Sequence, residues 1–283
     1  MKKYAIFLIV GVIFSACFLT AADGIGYRHV LRVHDRKVIL FSQMIQEIKK
    51  SSVVFVGETH DNMRHHEAQL NIIKSLNKVS FPLAVGLEMF RATDQKWLDL
   101  WTSGKLTVQE FLPFFSDNWN APWQWYRDIF LYAKESRIPM IGLNVPRDIT
   151  EKVSRQGFSS LTGSELKQLP PGIACDVDAT YMDFISRAHG AHSNKDSTSF
   201  RHFCEAQMLW DKSMAWHLLE FAKNNPGKTI IVLAGVGHSW KRGIPEQLRR
   251  QSAMAYTVIL PEIPDSVGLN DVTTDDADYV LLD

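Results

Sequence analysis

The sequence predicts an α/β protein: a parallel β-sheet flanked by helices, with a smaller helical subdomain or lid. Two observations carry this. Four short apolar runs rich in β-branched residues, 53–56, 83–87, 140–143 and 229–233, are each bounded by Gly, Pro or polar residues. Near-continuous apolarity over so few residues is the pattern of central strands buried on both faces. Between them lie amphipathic stretches at 64–76, 123–134 and 203–221 with helical spacing, and the alternation of strand and helix is that of an α/β fold.

Taken in chain order, Met1-Lys2-Lys3 precedes an uncharged, largely apolar run over residues 4–22, the n-region and h-region of an export signal. Phe14-Ser15-Ala16-Cys17 approximates a lipobox, with Phe in the place usually held by Leu. Cleavage before Cys17 and lipidation of that cysteine are expected, which makes residues 1–22 a leader and 23–283 a single α/β domain. The competing readings are an uncleaved helix barely long enough to span a bilayer and ordinary cleavage near Ala21-Ala22. The expected location is the bacterial cell envelope, as a lipoprotein anchored to a membrane, the outer one favoured.

Lys plus Arg and Asp plus Glu both total 31. With no basic excess and no charge run, nothing points to a nucleic-acid partner. Apolar residues make up 46% of the chain, which excludes a disordered protein. Beyond Cys17 the cysteines are Cys175 and Cys204; an oxidising envelope allows a bridge between them, and two buried free thiols are the alternative.

Residues 256–260 and 279–282 are expected as edge strands. The region 149–222 interrupts the alternation: it is polar and loop-rich in its first part, carries Pro170-Pro171-Gly172 and His189-Gly190-Ala191-His192, and is assigned to the helical subdomain or lid.

A parallel sheet binds ligands beyond the carboxyl ends of its strands, and there the sequence concentrates its chemistry. Gly57-Glu58-Thr59-His60-Asp61 follows the first central strand, Glu88-Met89-Phe90 the second and Asn144-Val145-Pro146-Arg147 the third. Ala234-Gly235-Val236-Gly237-His238-Ser239-Trp240 ends the fourth. Glu58, His60, Glu88, Asn144, Arg147 and His238 are therefore expected at one edge. Two imidazoles with two carboxylates, Glu58, His60, Glu88 and His238, suit a divalent metal that activates water; equally, a carboxylate beside His acts as general base without metal. His65-His66-Glu67 lacks the His-Glu-x-x-His spacing of zinc proteases, and one of the two histidines is expected to face the crevice while the other is solvated.

These motifs, together with residues 203–215 (Phe203-Cys204-Glu205-Ala206-Gln207-Met208-Leu209-Trp210-Asp211-Lys212-Ser213-Met214-Ala215), resemble in order those of the ChaN-like haem-binding lipoproteins of bacterial iron uptake. The resemblance implies a haem-binding transport protein rather than an enzyme; the broader superfamily includes proposed metal-dependent hydrolases, so an envelope metallohydrolase is the alternative. It also implies a haem ligand at Tyr181, within Asp178-Ala179-Thr180-Tyr181-Met182-Asp183-Phe184, with His189, His192 and Met208 as neighbours. Phenolate is a known axial ligand of haem iron. Tyr126, in an aromatic stripe, reads as packing. Haem held by one tyrosine leaves its other face open, so a haem-linked homodimer is expected, and an outer-membrane haem receptor is a possible partner.

Overall fold

The computed structural model describes residues 27–78, 82–188, 197–263, 270 and 272–282. The leader with Cys17, and His189 and His192, lie outside the described residues.

Eight strands form one sheet in the order β2-β1-β8-β7-β3-β6-β4-β5. They are β1 (His29–Arg32), β2 (Lys37–Leu40), β3 (Val53–Glu58), β4 (Leu83–Arg91), β5 (Met140–Asn144), β6 (Thr229–Gly235), β7 (Tyr256–Pro261) and β8 (Tyr279–Leu282). From β8 to β5 all pairings are parallel; β1 pairs antiparallel with both β2 and β8. Every residue of β3 and β6 is buried, as central strands covered on both faces require.

Alternation along the strands sorts their side chains into two cores. Val54, Val56, Val85, Leu87, Ile231 and Leu233 face one layer, while Val53, Phe55, Ala84, Ile230, Val232 and Ala234 face the other. The first layer is covered by α1 (Phe41–Ile48), α2 (Met63–Asn77), α3 (Gln95–Thr102), α4 (Val108–Asn118) and α5 (Trp123–Glu135). Its centre is aromatic: Phe111 stacks on Phe90 and Trp101, and the buried Trp101 indole donates to the Phe130 carbonyl at 2.9 Å. Local signals start these helices, since Asn62 caps α2 and Thr107 with Glu110 forms a capping box on α4.

The region 149–222 lies within α6 (Arg147–Gln156), α7 (Gly163–Leu166), α8 (Ala179–Ala188), α9 (Thr198–Asn224) and their connections. Val145, Ile149, Val153, Leu161, Leu169, Ala206 and Leu209 make a small core of their own where α6 meets α9. On its other side α9 buries Met208, Met214, Ala215 and Leu218 in the second sheet core. At 27 residues it runs for about 40 Å at 1.5 Å per residue. Two short helices, α10 (Val236–Ser239) and α11 (Ile244–Gln251), follow β6. No helix among the described residues is long and apolar enough to cross a membrane.

The expected rims of the sheet need correction. β7 and β8 are interior strands, not edges, and β5 is an edge; the rims are β2 and β5. The cause is the β1–β2 hairpin, which extends the sheet beyond β8. Its second strand buries only Ile39, so its hydrophobic period is too weak to announce a strand. Cys175 and Cys204 are free thiols; the Cys175 thiol donates to the Glu205 carbonyl at 3.3 Å.

Candidate functional site

β3, β6 and β4 are neighbours, so their carboxyl ends open on one crevice, with Glu58 and Gly235 in register across the first pair. Glu88 lies near the end of β4, where an irregularity in the pairing with β5 begins after Leu87. Its Oε2 accepts the Gly235 N–H at 2.6 Å. Its Oε1 lies 3.8 Å from His238 Nε2 and 4.0 Å from His60 Nε2. Gly235 permits this convergence: a Cβ there would come within 3.0 Å of the His60 ring.

Each imidazole is held from behind. His60 Nδ1 donates to Glu58 Oε1 at 2.8 Å, and the Tyr126 hydroxyl donates to the same oxygen at 2.6 Å. His238 Nδ1 donates to Asp211 Oδ1 at 2.7 Å, and the Tyr181 hydroxyl donates to Asp211 Oδ2 at 2.8 Å. Two strings of Tyr, carboxylate and His thus approach Glu88 from opposite sides. A carboxylate on Nδ1 fixes the ring and turns Nε2 inward. Each ring also meets a half-buried tryptophan edge-on, His60 with Trp119 at 4.9 Å and His238 with Trp210 at 5.8 Å.

The charges follow from these contacts. Burial raises the Glu58 carboxyl, but the hydrogen bond from His60 and the close His66 imidazole outweigh it and bring the pKa down to about 2. Burial lowers His60, but Glu58 and Glu88 raise it to about 9. His238 moves upward for the same kind of reason, with Glu88 and Asp211 opposing burial. His66 Nε2 donates to the His60 carbonyl at 3.1 Å, while its Nδ1 lies 2.8 Å from Glu58 Oε2 at an angle outside hydrogen-bond geometry. Burial lowers its pKa, but Glu58 raises it more. The buried Glu58 carboxylate therefore favours the charged form of both imidazoles that face it, His60 and His66.

His60 supplies a prediction. Its folded pKa lies above the ordinary 6.5, so the stability it contributes is fully present below pH 6.5 and is lost as pH rises through about 9. The urea midpoint should fall between pH 7 and 10, and His60→Gln should flatten that fall. An unchanged slope in the variant would remove His60 as the source.

Among the expected site residues, the crevice gathers Glu58, His60, Glu88 and His238. Glu58 stands behind His60 rather than facing the centre. Asn144 braces it from outside, donating to the Glu88 carbonyl at 2.7 Å. Arg147 does not belong: its side chain is 70% exposed and pairs with Glu151 on α6. Neither His65 nor His66 is solvated; both are buried, and His65 Nδ1 accepts the Thr59 N–H at 3.0 Å. Among the described residues, no three His, Cys, Asp or Glu side chains are grouped so as to hold a metal ion. The roles of Asp211 and of the Tyr126 hydroxyl are not legible in the sequence, whereas His66 is one of the two histidines from which it expects a crevice residue. An acid flanked by Trp210 on an otherwise apolar helical face was the available signal for Asp211.

Tyr181 and Met208 also line a cavity of about 430 Å³ bordered by the loop before α8, by α11 and by Tyr256, a size within the range of roughly 300–1,000 Å³ typical of cofactor sites. Its rim carries Lys241, Arg242, Arg249 and Arg250 alongside Asp176, Asp178, Glu246 and Asp275. Burial and the adjacent Asp211 push the Tyr181 hydroxyl well above its ordinary pKa of 10, so it is a neutral phenol here.

Residues 44–248 match the family model described as haem-binding uptake, Tiki superfamily, ChaN. The chain belongs to the ChaN family. Membership identifies haem as the cofactor. The fold is also that of ChaN of Campylobacter jejuni, described for cofacial haem binding, at 22% identity and TM-score 0.69, covering 89% of this chain and 95% of that one. The type III effector HopBA1 is similar at 11% identity and TM-score 0.50, covering 84% of this chain and 90% of that one. No curated protein sequence matches the chain.

Proposed function

We propose that the chain is a haem-binding lipoprotein of bacterial haem and iron uptake, holding the iron through Tyr181. Family membership carries the haem reading. For the site, the supporting observation is a tyrosine in the wall of a cavity whose rim carries four cations among four carboxylates, Arg249 and Arg250 being paired with Glu246. Haem supplies a ferric centre and two carboxylates. Phenolate suits the first, and the guanidinium of Arg242, outside the Glu246 pairs, suits the second. Asp211 Oδ2, at 2.8 Å, is the group that receives the Tyr181 proton on ligation. Met208 offers an apolar flank. His189 and His192, which follow α8 in the chain, remain candidates for a further contact.

One tyrosine leaves one haem face open, which supports a second copy of the chain as its cover. Lipidation at Cys17 would hold the protein to the outer membrane, near a haem receptor. Haemin titration of the full chain, followed by visible absorption, should show saturable binding with a ferric phenolate spectrum, and sedimentation velocity should show a dimer at stoichiometric haemin. No saturable binding would sink the haem reading; binding by an unchanged monomer would sink the dimer alone.

A divalent-metal hydrolase at Glu58, His60, Glu88 and His238 is the second reading. The convergence of two Nε2 atoms on Glu88 Oε1 favours it; the engagement of Glu58 with His60, His66 and Tyr126 weighs against that ligand set. Equilibrium dialysis with zinc or manganese tests it: uptake that survives Glu88→Gln would reject it.

A further inference from the structure

We infer that Asp211 is a positioning residue shared by two sites, so that the strand-end crevice and the Tyr181 cavity influence each other through it. The inference rests on the reading of Tyr181 as the haem ligand. Asp211 is 1% exposed on α9. Its two oxygens are divided between the sites: Oδ2 holds the Tyr181 hydroxyl of α8, and Oδ1 holds His238 Nδ1 of α10.

The comparison with Glu58 shows why this bridge is more than scaffolding. Glu58 bonds a tyrosine and a histidine in the same way, but Tyr126 is fully buried in the aromatic core and borders no part of the cavity. The Tyr181 string has one end at a cavity wall and the other 3.8 Å from Glu88. The same turn of α9 serves both ends. Met208 lines the cavity, Trp210 lies edge-on to His238, and Asp211 sits between them. A side chain that orients a metal ligand from behind is worth about 10–100-fold in affinity. His238, which fixes the second oxygen of that side chain, is one bond further out. Coupling of this kind is reciprocal.

The test is haemin titration of the full chain and its variants, with the phenolate-to-iron charge-transfer band as a second readout. Asp211→Asn should weaken binding roughly 10-fold or more and move the band. His238→Ala should weaken it by several-fold and move the band, although His238 does not line the cavity. The double variant should bind no worse than Asp211→Asn alone, because both act through one link. Arg147→Ala, on the exposed face of α6 and outside both the crevice and the cavity, should leave affinity and spectrum unchanged. If His238→Ala lowers the melting temperature sharply, His238→Gln replaces it. Wild-type affinity and spectrum in the His238 variant, or strictly additive losses, would overturn the link. If Tyr181→Phe also binds as wild type, the tyrosine-ligand reading itself has failed; if Tyr181→Phe loses binding while the His238 variant does not, only the link has.

Discussion

Tyr181→Phe is expected to lower haemin affinity by roughly 100-fold or more and to abolish the ferric phenolate band. Outer partners of a metal ligand are typically worth 10–100-fold, and here the ligand atom itself is removed. The substitution is otherwise conservative. The ring stays between α8 and α9, where it packs on Phe184, and the loss falls on one hydroxyl that is 2.8 Å from Asp211. Folding should tolerate it: Asp211 keeps its bond to His238, so the buried carboxylate is not left alone. Thermal unfolding measured beside the titration separates the effects. Lost haemin binding at a near-native melting temperature assigns the ligand; retained binding with an unchanged spectrum moves it elsewhere in the chain, with His189 and His192 the next to replace.

The fold was legible where burial leaves a simple mark. Strands β3 to β6, the rim strand β5 included, are covered on both faces, so their apolar runs at 53–56, 83–87, 140–143 and 229–233 stand out. The hairpin at His29–Leu40 was not legible, since charged residues and a single buried position in β2 hide its period. Without it, β8 is the rim of the sheet; β7 lies between β8 and β3 in either case. For the site, the strand-end rule brings Glu58, Glu88 and His238 to one crevice, because strand order converts sequence position into proximity. The same rule fails for Arg147, which begins a helix and follows its exposed face to Glu151. It is silent on Asp211 and Tyr126, which come from helices packed above and below the sheet; their meeting with His238 and Glu58 is set by tertiary packing. Tyr126 illustrates the limit well: its ring belongs to the core, as an aromatic stripe suggests, yet its hydroxyl is a partner of the site.

Glu58→Ala should produce the largest loss of stability among the crevice residues. Glu58 is 1% exposed and gathers His60, His66 and the Tyr126 hydroxyl around one carboxylate. Its removal strands two buried groups, since His66 is 2% and Tyr126 0% exposed. Breaking a buried charge cluster from one side costs about 3–5 kcal/mol, which for a domain of this size is a fall in melting temperature of roughly 6–20 °C. Glu58→Gln should lose less, because an amide oxygen still accepts from Tyr126. The pH dependence separates charge from shape. The folded pKa of Glu58, about 2, lies below its ordinary 4.5, so its contribution is complete above pH 4.5 and disappears as pH falls through 2. The difference in stability between wild type and Glu58→Gln should therefore be greatest near neutrality and shrink in acid, because protonated Glu58 and Gln are alike in charge. A gap that persists unchanged at pH 2 would mean that packing around Glu58, rather than its ionisation, holds the crevice together.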